Sequence, residues 1–445
     1  MDERRLLELI EQKKYIEIKK ELSEMNAVDV AELLDPLDIP TTLLLFRMLP
    51  KDLAVEVFSY FSTDQQKEII NLITDKELEY IINELFFDDM IDLIEEMPAN
   101  IVKKILKSSK EEERQLINQF LKYPPNSAGS IMTIEYVDLK KEMTVKEALR
   151  HIKKTGLSKE TVYTCYVTDK KRVLEGIVSL RTLVVSDEDE ILENIMEKDV
   201  IKVNTHDDQE SVAAVFKKYG FLALPVVDNE NRLIGIITVD DIMDVMEQEA
   251  TEDFQLMAAM SPSEEAYLDT DVITLAKQRL PWLLILMISG TFTGRIMLKF
   301  EHVLSSVVIL STFIPMIMDT GGNSGNQSST LIIRGLAVGE ITTKDWLKVL
   351  WKEIRISSLV GIVLSVVNLF RLILIEKVQL IIALTVSMTL LTTVITAKIV
   401  GGILPLLAKK VKLDPAIMAG PLLTTIVDAI SLTLYFLIAR QLLGI

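Results

Sequence analysis

The sequence has few of the side chains from which enzyme active sites are usually built. Among its 445 residues there are one cysteine and three histidines. His151, His206 and His302 have no second histidine at ligand spacing and no neighbouring nucleophile, and no P-loop is present to drive ATP hydrolysis. The single Cys165 cannot form an intramolecular disulfide, which is compatible with a reducing cytosol. We therefore do not expect an enzyme, and we interpret Cys165 as a core residue.

Positive charge is scarce in the first 270 residues. They contain 32 lysines and arginines against 56 acidic residues, whereas the chain from Asp271 onward contains 16 against 9. An acidic half of this kind is not drawn by charge to nucleic acid or to anionic lipid, but it can attract cations. The first residues are charged and lack an apolar stretch of the signal-peptide type, so we expect this half to stay in the cytoplasm.

Short amphipathic segments recur through residues 1–124. They follow residue pairs that are spaced 11 to 13 residues apart, namely Leu49-Pro50, Phe61-Ser62, Ile73-Thr74, Phe86-Phe87 and Met97-Pro98. Such a period predicts an all-α superhelical domain in which each short helix buries its apolar side on the next. Within it, Asp88 and Asp92 lie one helical turn apart, where like charges repel. A cation bound over this pair and an ordinary solvated helix face remain equally open.

Residues 130–245 contain an internal duplication. The segment from Tyr166 to Arg181 matches the segment from Pro225 to Asp240 at a constant offset of 59 residues. Each copy has the pattern of helix, strand, turn, strand and helix, which predicts an α/β fold. The copies, at about 130–190 and 196–245, resemble a tandem pair of cystathionine β-synthase (CBS) domains.

The resemblance to CBS domains implies a regulatory module that often binds adenine nucleotides such as ATP. In that family an Asp three residues after a Thr holds the ribose. The second copy has Thr238 and Asp241 at this spacing, whereas the first has Ser179 and Thr182. At most one nucleotide site therefore keeps the acid.

An acidic segment follows the second copy, and we expect residues 246–275 to form a connecting helix. On a helix, Asp241, Asp244 and Glu252 lie near one another, as do Glu249 and Asp253. Hard divalent cations prefer carboxylate oxygens, and Mg²⁺ typically takes one or two of them and keeps several waters. The alternative is a solvated acidic linker.

Residues 276–445 contain five apolar runs: Leu280 to Gly294, Val303 to Met318, Ile356 to Leu374, Val378 to Ile395 and Ala416 to Ala439. They predict an α-helical transmembrane domain of five spans, and the whole chain is then a multidomain membrane protein. With a cytoplasmic N-terminus, the inner loops would carry eight lysines and arginines against four in the outer loops. This asymmetry agrees with the positive-inside rule, so we expect the C-terminus outside.

The last apolar run has an acid at its centre. A helix over Ala416 to Ala439 would be about 36 Å long, enough to cross a hydrocarbon core of about 30 Å, and Asp428 would lie near its middle. Thr424, Ser431 and Tyr435 share its helix face. A carboxylate at this depth is costly and normally faces a water-filled path or a paired charge. We favour a cation path, and the alternative is a structural pair between Asp428 and Lys398.

A polar segment from Pro315 to Thr330 interrupts the apolar sequence. It contains Asp319, three glycines, two asparagines, Gln327 and several hydroxyls. We expect a break in the helix here, with freed carbonyls lining an ion path at Gly321, Gly322, Asn323 and Gln327. The alternative is a plain transition from helix to loop at the membrane surface.

Three features together resemble the MgtE family of bacterial magnesium channels and transporters. They are the polar segment PxxxDTGGNSGNQSSTLIIRGLA, the basic loop that ends in Asp414-Pro415, and the following span with Asp428. The order of parts agrees over essentially the whole chain. The resemblance implies a homodimer in the bacterial inner membrane that carries Mg²⁺ between its two membrane domains and is closed by cytoplasmic Mg²⁺.

The resemblance also implies the residues involved. Regulatory Mg²⁺ would bind at Asp88, Asp92, Asp208, Glu210, Asp241, Asp244, Glu249, Glu252 and Asp253. Asp428 would hold the permeating ion, and Asp414, Pro421, Thr424 and Thr425 would line the path with the polar segment. Gly220 and Gly420 stand where family members can carry an acid and an asparagine, which weakens the expected contacts at these two positions.

Two other functions fit parts of the sequence. A membrane-anchored nucleotide sensor would need neither the mid-span Asp428 nor the glycine-rich polar segment. A proton-coupled carrier would use Asp428 as a group that titrates during transport.

Overall fold

The computed structural model describes residues 1–263, 267–268 and 270–444. They form two compact units, Met1–Val245 and Met246–Ile445. Each unit has its own buried apolar core.

Short helices form the first half of the first unit. They are α1 (Glu3–Glu11), α2 (Tyr15–Leu22), α3 (Ala27–Leu34), α4 (Ile39–Phe46), α5 (Lys51–Ser59), α6 (Thr63–Leu72), α7 (Asp75–Glu84), α8 (Phe87–Glu96), α9 (Ala99–Ser108) and α10 (Glu111–Phe120). The recurring residue pairs of the sequence mark their starts. Thr74 caps α7 in a capping box with Glu77, and Pro98 directly precedes α9. The predicted all-α domain is confirmed.

Two three-stranded sheets form the second half of the first unit. In the first sheet, β1 (Asp138–Leu139) is parallel to β2 (Thr164–Thr168), which is antiparallel to β3 (Leu174–Ser179). In the second, β4 (Val203–Asn204), β5 (Ala223–Val227) and β6 (Leu233–Thr238) repeat this arrangement. The helices between the strands are α11 (Val145–Thr155), α12 (Leu180–Val185), α13 (Leu192–Ile195) and α14 (Gln209–Tyr219). The predicted α/β duplication is confirmed, and Cys165 is buried in β2.

The acidic helix differs from the prediction. It is α15 (Val239–Met257), so it begins seven residues before 246 and ends well before 275. Residues 258–263 and 267–268 are turns or coil, and 264–266 and 269 lie outside the described residues. The helix ends where Pro262 approaches, because proline disfavours helical backbone at the preceding residue. The sequence criterion of acidic composition did not detect this stop.

Helices make up the second unit. They are α16 (Val272–Lys299), α17 (Glu301–Ser306), α18 (Ile314–Ala337), α19 (Trp346–Leu374), α20 (Leu380–Lys410) and α21 (Gly420–Leu443). In the described part of the chain, four segments are long and apolar enough to cross a membrane: Val272–Lys299, Thr343–Leu374, Leu380–Lys410 and Pro415–Leu443. They correspond to four of the five predicted spans.

The predicted span from Val303 to Met318 is wrong as a single element. It is divided among α17, a 3₁₀ helix at Val308–Phe313 and the start of α18. Hydroxyl side chains interrupt it, since Ser305 and Ser306 both donate hydrogen bonds to the His302 carbonyl. At 24 residues, α18 is about 36 Å long and could span a bilayer by length alone. The count of five spans stays a prediction.

The predicted break in the polar segment is also wrong, because α18 runs through it as one continuous helix. Its glycines serve close helix packing instead of freeing carbonyls. A Cβ on Gly321 would lie 2.8 Å from Thr393 Cγ2 of α20 and 3.0 Å from Ser431 Oγ of α21. Where α18 and α20 cross, a Cβ on Gly401 would lie 2.2 Å from the Gly325 carbonyl oxygen. Glycine therefore allows backbone contact between these helices.

This crossing gives a first prediction. Gly401→Ala should destabilise the second unit by about 1–3 kcal/mol or more, because the added methyl meets backbone that cannot move aside. Gly290→Ala is the matched control, since a Cβ at Gly290 meets nothing within 4 Å. Thermal unfolding of the detergent-purified protein measures both variants. Equal stability of the two variants would contradict the packing role.

Candidate cation sites

Carboxylates from three parts of the first unit line one cavity of about 700 Å³. Asp88, Asp89 and Asp92 come from α8, Glu160 from the loop before β2, and Asp240, Asp241 and Asp244 from the start of α15. Its described lining includes no lysine or arginine. The structure thus brings together Asp88, Asp92, Asp241 and Asp244, which the sequence had assigned to separate segments.

The electrostatics of this cavity disfavour ionised carboxylates. Burial, followed by repulsion from Asp241 and Asp89, raises the pKa of Asp88 from 3.8 to about 9. Burial and Asp240 raise the pKa of Asp89 to about 6, and burial with the same neighbour raises the pKa of Glu160 to about 7. The pKa of Asp241 rises to about 6 through burial, although Thr238 donates two hydrogen bonds to it. A positive ion in the cavity would relieve this repulsion.

The carboxylates are spread around the cavity rather than gathered at one point. Among the described residues, no three His, Cys, Asp or Glu side chains are placed to hold a metal ion together. This arrangement fits a hydrated ion that contacts the carboxylates through its waters, which is the habit of Mg²⁺. It does not fit an ion such as Zn²⁺ that needs several direct ligands.

The cavity gives a prediction on pH dependence. Because the folded pKa values are raised above the unfolded ones, stability is fully present below about pH 4 and is lost as the pH rises through about 6 to 9. Each group that is ionised only in the unfolded state costs about 1.4 kcal/mol per pH unit. Thermal unfolding in chelator should therefore show a falling midpoint from pH 5 to 9, and millimolar Mg²⁺ should restore it.

Asp88→Asn is the diagnostic variant for this prediction. It should raise the unfolding midpoint at pH 8 in chelator, whereas substitutions at partly buried sites usually lower it. The exposed Glu32 on α3 supplies the control Glu32→Gln, which should change little. A lower midpoint for Asp88→Asn than for the control would contradict the proposed repulsion.

Other predicted regulatory residues lie outside this cavity. Asp208 is exposed and caps α14 by accepting a hydrogen bond from the Glu210 backbone amide, 3.0 Å away. Glu249, Glu252 and Asp253 lie on α15 beyond Val245, in the second unit. The cavity lining instead includes Asp89, Glu160 and Asp240, which the sequence analysis missed. For Glu160 no sequence signal exists, because it is brought there by the fold of the loop at 159–163.

A second cavity, of about 690 Å³, lies between the two CBS units. Its lining includes Ser179 and Arg181 from the first unit's β3 and α12, the carboxylates Glu197 and Asp199, and the ring of Phe221. The predicted nucleotide residue Asp241 lines the acidic cavity instead. An aromatic ring, a guanidinium and carboxylates are suited to a base, phosphates and ribose hydroxyls respectively.

In the second unit, Asp428 lies on α21 and is partly exposed. Its main charged neighbour is Asp319 of α18. One turn before Asp428, the hydroxyls of Thr424 and Thr425 both donate to the Pro421 carbonyl at 2.9 Å. The hydroxyl oxygens keep lone pairs that can accept from the water shell of a cation.

The alternative pairing of Asp428 with Lys398 is wrong for the described chain. The Lys398 ammonium instead donates to Gln327 Oε1 at 3.2 Å and to the Ser324 carbonyl at 3.4 Å. Gln327 therefore uses its oxygen on Lys398. Gly321 and Gly322 are buried against neighbouring helices, whereas Asn323 and Gln327 are exposed.

An exposed polar stripe runs along α18. It consists of Asp319, Asn323, Gln327 and Thr330, which recur every three or four residues and so share one face. Nearby, Asp414 caps the 3₁₀ helix Pro415–Met418 by accepting from the Ala416 amide at 2.7 Å. Polar side chains of this kind are not stable against hydrocarbon, so the stripe must meet water or another polar surface.

Gly420, which departs from the family pattern, has a local structural reason. Its φ is +54°, and a Cβ there would lie 2.1 Å from the carbonyl oxygen of Met257, the last residue of α15. Only glycine allows both this backbone conformation and this contact. Gly220 also has positive φ, at +67°, and ends α14 as a left-handed cap.

Comparison with known proteins agrees with this arrangement of domains. The MgtE family model, described as a divalent cation transporter, matches residues 314–438. Models of the MgtE intracellular N domain and the CBS domain match residues 25–126, and 128–189 with 192–248. Among solved structures, the cytosolic domain of the Mg²⁺ channel MgtE in complex with ATP aligns with a TM-score of 0.51 and 35% identity, over 54% of this chain and 98% of that one.

Two curated relatives match over nearly their full length. The magnesium transporter MgtE of Thermus thermophilus is 36% identical over 436 residues, which is 96% of this chain and 95% of that protein. The magnesium transporter MgtE of Bacillus subtilis is 33% identical over 423 residues, 92% and 93% of the two chains. This chain therefore belongs to the MgtE family of divalent cation transporters.

Proposed function

We propose that this protein carries Mg²⁺ into the bacterial cell through a path formed by its second unit, with Asp428 at the ion position. The observation that carries the proposal is the pairing of two carboxylates, Asp319 and Asp428, on adjoining helices of an otherwise apolar bundle. Two acids this close are costly in a membrane unless a cation passes between or beside them. The printed names of the relatives, which are magnesium transporters, support Mg²⁺ as the cargo.

The ion path lies between two copies of the chain. The exposed stripe on α18 supports this, because a single copy would turn Asp319, Asn323 and Thr330 toward lipid. A second copy placed against the same stripe would enclose a polar, water-filled path between two symmetric faces. The N-terminus then lies in the cytoplasm and the C-terminus outside, as the distribution of basic loop residues favours.

Cytoplasmic Mg²⁺ regulates this path through the acidic cavity. When the cavity lacks cations, its carboxylates repel one another, and hydrated Mg²⁺ neutralises them and favours the compact arrangement. α15 is suited to transmit the change, because Asp241 and Asp244 lie in its first turns and its last residue, Met257, contacts Gly420 at the start of α21. High internal Mg²⁺ thereby closes its own entry.

The CBS cavity binds an adenine nucleotide. Arg181, Glu197 and Phe221 supply the chemistry, and the ATP complex of the related cytosolic domain supports ATP as the ligand. Because Asp241 belongs to the acidic cavity, the nucleotide site uses Ser179 and Asp199 in place of the predicted Thr238 and Asp241. Titration of ATP against the purified protein, with Arg181→Ala as the comparison, tests this assignment.

The experiment that tests the main proposal is Mg²⁺ uptake into proteoliposomes. The intact protein should admit Mg²⁺ at low Mg²⁺ on the side of the N-terminal unit and should admit much less at high Mg²⁺ there. Absence of Mg²⁺ uptake would refute the transport proposal. Uptake that is indifferent to Mg²⁺ on that side would refute the regulatory one.

A further inference from the structure

Two charged side chains are buried in the second unit away from Asp428. Glu353 of α19 and Lys398 of α20 are only 6% and 4% exposed. Lys398 has 18 residues of α20 before it and 12 after it, so it is far from either helix end. Its ammonium therefore cannot reach the membrane surface by extending along the helix, as lysines near helix ends do.

Both buried charges are bound to α18, at consecutive residues. Lys398 donates to Gln327 Oε1 at 3.2 Å, and Ser328 Oγ donates to Glu353 Oε2 at 2.6 Å. Consecutive helical residues point about 100° apart, so α18 is held from two sides. Lys398 also reaches the Ser324 carbonyl, one turn earlier, at 3.4 Å.

The two charges belong to one electrostatic unit. Glu353 acts on Lys398 as its charged partner. Gly402, one turn after Lys398 on α20, makes room for the acid, since a Cβ there would lie 2.9 Å from Glu353 Cγ. Burial of either charge alone would be costly, whereas the pair is nearly neutral when viewed from the polar stripe.

We propose that Glu353 and Lys398 are positioning residues that set the electrostatic potential of the cation path and the orientation of Gln327. This role rests on the proposed transport of Mg²⁺ along the polar stripe. Lys398 takes the Gln327 carbonyl oxygen, so that residue presents its amide N–H groups to the path and does not bind the cation directly. Glu353 balances the positive charge that Lys398 would otherwise place beside the stripe.

The test relies on opposite signs. Glu353→Gln leaves Lys398 unbalanced and should raise the KM for Mg²⁺ about tenfold or more, because repulsion acts on both charges of the ion. Lys398→Met leaves Glu353 unbalanced and should lower the KM. The double variant Glu353→Gln/Lys398→Met buries no charge and should return the KM to within about threefold of the intact protein.

Matched controls remove surface charges from the same unit. Lys352→Met changes an exposed residue beside Glu353 on α19, and Glu340→Gln changes an exposed residue of the loop before it. A merely structural role would lower the maximal rate in both single variants without moving the KM in opposite directions. KM shifts of the same sign, or a double variant that folds but keeps an altered KM, would overturn the proposal. Absence of uptake by the intact protein would instead refute the transport function itself.

Discussion

Asp428→Asn should reduce Mg²⁺ uptake about a hundredfold or more while the protein remains folded and inserted. The substitution keeps the shape of the side chain but removes the charge that faces the ion. At an effective dielectric constant of about 20, one carboxylate attracts a hydrated divalent ion by about 3 kcal/mol or more, which corresponds to about a hundredfold in occupancy. Uptake into proteoliposomes at low Mg²⁺ on the side of the N-terminal unit measures the effect.

The control for this prediction is Glu340→Gln, an identical change of a carboxylate that forms only a surface ion pair with Arg334. It should leave uptake within about twofold, because such pairs contribute little. Asp319→Asn should have an intermediate effect, since Asp319 is exposed on the stripe and acts beside Asp428. Uptake by Asp428→Asn equal to that of the Glu340 control would refute the ion position.

The same variant distinguishes a pore from a proton-coupled carrier. A carrier that uses Asp428 as its titrating group should lose the dependence of uptake on a pH gradient when the group becomes an amide. A pore should lose its preference for Mg²⁺ and show no such coupling before or after the change. Uptake measured against an imposed pH gradient, in the intact protein and in Asp428→Asn, separates the two.

Patterns of repetition were sufficient to predict much of the fold. The 12-residue period before Ser62, Thr74 and Pro98 reflects helix caps, which are local interactions that act wherever these residues precede an amphipathic run. The offset of 59 residues likewise places β5 and β6 opposite their copies. Local chemistry repeated along the chain can be identified without tertiary structure.

The polar segment of α18 shows where such reasoning fails. Glycine, asparagine and serine weaken a helix when considered alone, so the sequence favoured a break. In the bundle, Gly321 and Gly325 instead allow close contact with α20 and α21, and this tertiary packing outweighs the local preference. The acidic cavity has the same origin, because Glu160 and Asp88 are far apart in the chain and only the fold brings them together.

Asp88→Asn combined with Asp241→Asn should make uptake nearly independent of cytoplasmic Mg²⁺. A ligand shifts a conformational equilibrium only by its difference in affinity for the two states. With two of the cavity carboxylates neutral, Mg²⁺ gains little by binding the compact state, whichever state predominates without it. The ratio of uptake at low and at high Mg²⁺ on the cytoplasmic side should therefore fall from about tenfold or more to near one.

This ratio is the informative quantity because the absolute rate can move either way. Neutral side chains remove repulsion and so favour the compact state, which lowers basal uptake, but they also remove the site through which Mg²⁺ acts. Stabilisation by ligand supplies an independent readout, since Mg²⁺ at 100 times its Kd should raise the unfolding free energy of the intact protein by about 2.7 kcal/mol. The double variant should lose most of this gain, and Glu32→Gln, on the exposed side of α3, should keep it. A double variant that is still shut by the same Mg²⁺ concentration would place the sensor elsewhere, and the carboxylates of α15 beyond Val245 would then be the next to replace.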